Sequence, residues 1–383
     1  MTERKVAEVF APGEFIKDAL EARGWSQAEL AEIIGRQPSV VTELINGKRS
    51  VTAEIATALG DAFETSAQYW LNLENIYQLE RVKDKGDVIS RRARLYGIAP
   101  IKEMVKRHWL ENSENVDVLE KRVMQFFEIE SLNDEIRLSH VARKGAQEVS
   151  SAQMAWLFRV KQLAYAVHAK NFSDQLFEEA LEKLKRLLLS THEARNVPRI
   201  LAEAGIRFLI VEHLPRTKID GVTIWLNNRS PVIALSLRYD RIDSFWFTLA
   251  HELGHVKNRD GMKTPVLDTD IYGEESTSSE HEPEVESRAN WFATELLITH
   301  EAINDFIART SPLYSTQRIL RFANNIRIHP GIVIGQLQHR REVFWSSYRQ
   351  MLDRIRDIVI QSSLTDGWGC TASILPHKET QDG

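Results

Sequence analysis

With one cysteine, Cys370, in 383 residues, no disulfide can form within the chain, and a reducing, cytoplasmic compartment is expected. No stretch approaches the roughly 18 apolar residues of a membrane span, and the opening MTERKVAEVFAPGEF lacks the apolar core of a secretory leader. Basic charge is not in excess either. Against 54 Asp and Glu stand 49 Lys and Arg, a net charge of −5, so any nucleic-acid signal has to be local. These absences argue against a secreted, disulfide-stapled domain and a membrane-spanning protein, neither of which is expected, and they leave no whole-chain nucleic-acid signature. What is present, 43% hydrophobic and 27% charged residues, is the composition of a soluble globular chain long enough for two or three domains.

The densest chemistry lies in Phe245 to Lys257, FWFTLAHELGHVK. On a helix, the i,i+4 spacing stacks His251 and His255 on one face about 5.4 Å apart, where both can ligate one tetrahedral Zn²⁺. Glu252 then lies beside the ligands as the general base that takes a proton from the attacking water. Asp243 or Ser244 is expected to cap the helix. Composition alone would produce about 0.05 matches to this pattern in a chain with 12 histidines, so two unrelated surface histidines are the weaker reading.

Two histidines leave a catalytic zinc one protein ligand short of three, and a structural zinc would need a fourth. Downstream, Asp260 to Pro283 reads as a polar, acidic surface loop that holds Asp268, Asp270, Glu274, Glu275, Glu280 and Glu282. The helix EVESRANWFATELLIT follows and places Glu286, Ala289, Asn290, Ala293 and Leu297 on one face, with alanines small enough for close packing against the zinc helix. Glu286 is the expected third ligand, with His281 as the alternative and a plain surface carboxylate still open.

The chain begins differently. From Pro12 to about Leu73 the apolar spacing is helical throughout. Ser26 and Glu29 form a capping box, Gly35 stops that helix, and Pro38 opens the next, PSVVTELING. Two short helices joined by a tight turn are a helix-turn-helix pattern. Residues 81–107 then carry nine basic against three acidic side chains, read first as a solvated face and second as a phosphate-contacting surface. The helical pattern continues to about Arg195. Near Val197 the period changes to short β-rich runs, GIRFLIVEHL, KIDGVTIWLN and SPVIALSLR, expected to form an antiparallel sheet of three strands. Residues 219–237 are candidates for aligning an extended substrate by strand addition. The end of the chain from Asp366 reads as loose, and Cys370 and His377 form no recognisable site there.

The segments SQAELAEIIG and VVTELINGKR resemble the helix-turn-helix of XRE-family regulators, and their flanks PGEFIKDAL and TSAQYWLNLEN are similar to HigA-type antitoxins. The resemblance implies that Gln37, Ser39, Val40, Thr42 and Glu43 read bases, while Gln27, Lys48 and Arg49 hold phosphates. FTLAHELGHV together with E-x-x-A-N-x-F-A-x-E-L-L resembles the ImmA/IrrE metallopeptidases. That resemblance implies zinc on His251, His255 and Glu286 with Glu252 as catalytic base. The expected fold is α+β, mainly α with a small antiparallel sheet: a five-helix helix-turn-helix domain (12–80), a helical middle segment (81–196), a zincin-like peptidase domain (197–345) and a C-terminal helix and tail (346–383). The expected function is an autorepressing, antitoxin-like regulator with a zinc endopeptidase that cleaves a partner regulator or toxin. The alternative is a non-catalytic HigA-type antitoxin whose peptidase-like domain senses a ligand or binds a toxin. Expected partners are double-stranded operator DNA, the protein substrate or cognate toxin or repressor, and a second copy in a homodimer, with no membrane association and a nucleoid location when DNA-bound.

Overall fold

A computed structural model of the chain describes residues 9–134, 136, 138, 149–262, 265–271 and 284–367. The chain divides into two compact units, Met1–Arg94 and Leu95–Gly383. The first is built from α1 (Pro12–Arg23), α2 (Gln27–Ile33), α3 (Pro38–Ile45), α4 (Ala53–Phe63) and the greater part of α5 (Ala67–Ile98). Local chemistry sets the boundaries. Gly24 ends α1 with a φ of 68°, a conformation that L side chains resist. Ser26 Oγ accepts from the Glu29 N–H at 3.2 Å, and the Glu29 carboxylate accepts from the Ser26 N–H at 2.7 Å, so α2 starts on the reciprocal cap written in its sequence. Pro38 opens α3, where its missing N–H costs no helical hydrogen bond. Ile16, Leu30, Val41, Leu44, Leu59 and Phe63 meet in the core of this unit. Helix α5 runs on to Ile98, past residue 80 where the sequence reading ends the domain.

The second unit carries α6 (Ile101–Lys106), α7 (Val116–Phe127), α8 (Ser151–Ala164), α9 (Asp174–Lys185), α10 (Val197–Glu203), β1 (Arg207–Ile210), β2 (Ile219–Trp225) and β3 (Pro231–Leu235). Next come α11 (Ile242–Asn258), β4 (Val266–Thr269), α12 (Glu284–Leu297), α13 (His300–Thr310), α14 (Thr316–Asn325), α15 (Pro330–His339), α16 (Arg356–Ile360) and β5 (Leu364–Thr365). The α+β class holds, but the sheet is larger than expected and mixed: among the described residues it has five strands in the order β4-β2-β3-β1-β5. β2 pairs antiparallel with β3 and β4, whereas β1 is parallel to both β3 and β5. The reason lies in residues 211–218. They are too long for a tight hairpin and turn through Arg216 and Lys218 at positive φ, carrying the chain past β3 so that β2 lands on its far side.

Alternation along the strands separates two layers. Phe208, Ile210, Ile233 and Leu235 face the core that contains α11. Leu209, Val222, Ile224, Val232 and Ala234 face the other way, against Phe127, Trp156 and Phe158 of α7 and α8. The helices that the sequence assigns to a middle segment thus cover the back of the sheet. Trp156 donates its indole N–H to the Val211 carbonyl at 3.0 Å, and Arg107 donates to the carbonyls of Glu212 and His213 at 2.7 and 2.8 Å. Burying the side chains of Trp156 and Phe158, both almost fully enclosed, stabilises this layer by roughly 2–3 kcal/mol each. No helix among the described residues is long and apolar enough to cross a membrane.

Candidate metal centre and helix-turn-helix surface

Helix α11 is buried from Ile242 through Val256. Asp243 and Ser244 do not cap it: the capping position is Arg241, and Asp243 sits in the first turn, paired with the Arg241 guanidinium at 2.6 Å. Close packing against α12 depends on Gly254, since a Cβ there would stand 3.1 Å from the Cα of Ala289. That approach brings Glu286 over the imidazoles.

The structure brings His251, His255 and Glu286 together and adds Asp268, from β4, which the sequence places in a surface loop. One donor atom from each of the four lies within 4.8 Å of the others. His251 Nε2 and His255 Nε2 are 3.0 Å apart. Glu286 Oε2 is 3.3 and 3.7 Å from them, and Asp268 Oδ2 is 3.4 and 3.5 Å from them. Donors bonded at 2.0–2.1 Å to a tetrahedral ion stand about 3.3 Å apart, so these distances outline such a shell. Asp268 Oδ2 is fully buried, and its polar neighbours, the two Nε2 atoms at 3.4 and 3.5 Å, stand beyond good hydrogen-bond geometry, an arrangement that a cation shared among them would satisfy. Two imidazoles and two carboxylates fit a divalent metal. With Asp268 in reach, ligand count no longer argues against a closed, four-ligand site.

Groups around the donors fix their orientation. His251 Nδ1–H donates to Asn290 Oδ1 at 2.8 Å and His255 Nδ1–H to Asp260 Oδ2 at 3.2 Å, so both Nε2 atoms are the ones turned toward the shared site. Burial works against charge on both imidazoles. The carboxylates of Asp268 and Glu286 nonetheless hold them protonated, to about 10 for His251 and about 11 for His255, and a metal ion would replace those protons. Asp268 is likewise buried, yet the two imidazolium charges and their hydrogen bonds hold its carboxyl well below the usual carboxylate range. Glu286 is pulled the same way by hydrogen bonds from both histidines, against its own burial.

Glu252 is fully buried. Burial first, and the charge of Asp268 second, push its carboxyl well above the usual range. Its Oε2 accepts from the Thr223 hydroxyl at 2.5 Å, while Oε1 has no hydrogen-bond partner. Gly221 makes room for it, since a Cβ on that residue would lie 2.2 Å from Oε1.

Four contributors escape a reading of the sequence. Asp268 and Asp260 lie in an acidic stretch without periodicity, and Thr223 and Gly221 reach Glu252 only because β2 passes under α11. A period-2 reading of β2 would have put Gly221, Thr223 and Trp225 on one face, which was the available signal. Glu284, two residues before Glu286 at the start of α12, is exposed. His281, Glu274, Glu275, Glu280 and Glu282 lie outside the described residues, as do Cys370 and His377. Residues 219–237 offer no free edge for strand addition, because β2 and β3 are interior to the sheet; the edges among the described strands are β4 and β5.

In the first unit, Gln27, Gln37, Ser39, Thr42, Lys48 and Arg49 are exposed, Glu43 is half-exposed and Val40 is partly buried against the core. The Thr42 hydroxyl donates to Gln27 Oε1 at 3.1 Å, tying the start of α2 to the outer face of α3. Glu43 pairs with Arg49 at 2.7 Å, so those two side chains partly neutralise each other.

Two family models match. Residues 16–70 match a helix-turn-helix family, and residues 203–325 match the IrrE N-terminal-like domain. An uncharacterized helix-turn-helix transcriptional regulator of Escherichia coli, YddM, is 35% identical over 91 residues, which are 24% of this chain and 96% of that one. Virulence-associated protein I of Dichelobacter nodosus is 34% identical over 21% of this chain and 74% of its own. Solved structures that align include a HigA-family addiction-module antidote protein of Coxiella burnetii, at 30% identity over 22% of this chain and 92% of that one, TM-score 0.21. The Pseudomonas aeruginosa antitoxin HigA with the higBA promoter aligns at 32% identity over 21% and 91%, also with TM-score 0.21. By sequence, then, the chain belongs at its N-terminus to the XRE-type helix-turn-helix regulators and carries behind it an IrrE-like, metallopeptidase-type domain.

Proposed function

We propose that the chain is a DNA-binding, autorepressing regulator that also carries a zinc-dependent endopeptidase directed at a partner regulator or toxin. The observation that carries the enzymatic half is the convergence of His251, His255 and Glu286 beside a buried Glu252 whose Oε1 is unpartnered. Those three residues would hold zinc, which when bound supplies Lewis-acid polarisation of a peptide carbonyl. Glu252 takes a proton from the attacking water and passes it to the leaving amine. The Thr223 hydroxyl holds Oε2 and thereby fixes the direction of that transfer. Asn290 and Asp260 keep the imidazoles in one tautomer.

For the regulatory half, the exposed residues Gln37, Ser39 and Thr42 would read base edges, with Val40 and Glu43 beside them, and Gln27, Lys48 and Arg49 would meet phosphates. A cytoplasmic homodimer on two half-sites of its own operator follows from that mode of reading.

Metal content and cleavage test the proposal, comparing wild type with Glu252→Gln, each with and without Asp268→Ala, against the purified product of the adjacent gene. Zinc should bind in all four proteins, and Glu252→Gln should lower cleavage by about 10²- to 10⁴-fold. Failure to bind zinc sinks the metal reading. If zinc binds and all four proteins are equally inert, the second reading stands: a non-catalytic antitoxin whose peptidase-like domain holds a toxin or ligand. Asp268 at the fourth corner of the donor set is the observation that favours it.

A further inference from the structure

We infer that Asp268 and β4 hold the metal centre shut: Asp268 supplies a fourth ligand, and β4 occupies the sheet edge on which an extended peptide would pair. This rests on the metal reading above. A catalytic zinc keeps one position open, whereas a site with four protein ligands has none. Asp268 Oδ2 lies as near to the two Nε2 atoms, at 3.4 and 3.5 Å, as the expected ligand Glu286 Oε2 does, at 3.3 and 3.7 Å. It is also far more buried, at 4% side-chain exposure against 28%.

The sheet register makes the same point independently. β4 pairs antiparallel with β2, with Leu267 opposite Val222 and Asp268 opposite Gly221. Gly221 is the residue whose missing Cβ accommodates Glu252 Oε1. The segment lying across the catalytic carboxylate is therefore a strand of the chain itself, docked in the main-chain mode by which peptides add to a sheet edge. Leu267 and Asp268 sit where a substrate's residues would.

A clamp holds the end of this strand. Asp270 pairs with Lys218 at 2.7 Å and with Arg238 at 2.5 Å, and its N–H donates to the Lys218 carbonyl at 3.1 Å. Arg238 also pairs with Asp220 at 2.9 Å, and Asp220 accepts the Ile271 N–H at 2.7 Å. Against these contacts, β4 is an edge strand of only four residues, and its buried carboxylate oxygen faces the two imidazole Nε2 atoms at 3.4 and 3.5 Å, where a shared metal ion would bind it to them. Docking of β4 and metal binding therefore stabilise one another, and an extended peptide competing for the β2 edge opens both together.

The test uses the full chain loaded with Co²⁺ and acetohydroxamate as the probe for an open position. Wild type should show the intense visible absorption of a four-coordinate site, unchanged by the probe. Asp268→Ala should bind Co²⁺ at least about tenfold more weakly, absorb less strongly, and shift its spectrum on adding hydroxamate. A wild-type spectrum that shifts at the same hydroxamate concentration as the variant overturns the closure while leaving the metal site in place. Absence of metal from both proteins overturns the closure and the metal reading beneath it. Should Asp268→Ala fail to fold, Asp270→Ala decides, since it keeps the ligand and removes the clamp. Hydroxamate uptake at lower concentration than wild type supports the inference, and uptake no easier than wild type overturns it.

Discussion

The two units solve opposite problems. In the helix-turn-helix unit the candidate residues lie within 23 positions, Gln27 to Arg49, mostly exposed on the outer face of a small core. In the second unit the candidate metal centre draws on α11, β4 and α12, with β2 beneath, and its histidines are wholly enclosed. A surface reader needs a rigid helix and side chains with ordinary solution chemistry. A buried centre needs every polar atom matched, so that small changes in packing or protonation reach the chemistry. The first should tolerate substitution one residue at a time, and the second should not.

The contrast is broken most strongly if the buried unit proves indifferent to pH. Burial raises Asp220 to about 6, against the opposing pull of Arg238 and the Ile271 N–H. A carboxyl raised on folding keeps in the native state a proton that the unfolded chain releases. Stability from this group is thus full below about 4 and is lost as pH rises through about 6, on the order of 3 kcal/mol in total. Hydrogen exchange of β2 and β3 amides in wild type and Asp220→Asn, between pH 4 and 7, should show that the wild-type decline is flatter in the variant. Parallel pH profiles would refute the assignment.

Gly221→Ala is the sharpest packing test. Its new methyl would overlap Glu252 Oε1, and the strand is interior, so relief requires moving the carboxylate or the backbone. A loss of roughly 1–3 kcal/mol in denaturant unfolding is expected. Any cleavage activity should fall with it even where the protein remains folded. Unchanged stability and activity together would mean that the pocket is looser than the geometry requires.

Asn290→Ala leaves every donor atom in place but frees the His251 ring. Zinc affinity measured by chelator competition should fall about 10- to 100-fold; a change smaller than twofold would deny Asn290 its orienting role. The smallest effect belongs to the exposed unit. Lys48→Ala should reduce the salt dependence of operator binding by about one unit of slope, equally for all operator sequences. A change confined to one base pair would instead make Lys48 a reader of sequence.

The same contrast explains what could be read in advance. The capping box at Ser26, the turn at Gly35 and the proline opening α3 are local, and they appear where the sequence puts them. The i,i+4 histidines and the small-residue face that brings Glu286 close are also local, each carried by one helix. Asp268 is not, because four residues of edge strand inside an acidic stretch leave no periodicity, and nothing near them in sequence announces β2 as their partner. Strand order was hidden for a related reason. A β-rich run shows which of its faces is apolar but not which neighbour it will take, so the parallel pairing of β1 with β3 could not be inferred. Helices α6 to α8 showed apolar faces at helical spacing, and only the folded sheet reveals what those faces cover.

The burial of His251, His255 and Asp268 also bears on time. Three of the four donors are enclosed and Glu286 is partly exposed, so an ion would reach the full set more readily when the chain opens. Opening at β4, or wider unfolding, would then govern how fast a bound ion exchanges. If a metal is held there, its identity would be decided largely by which ions are at hand while the molecule folds, and it would record those conditions for as long as the site stays closed.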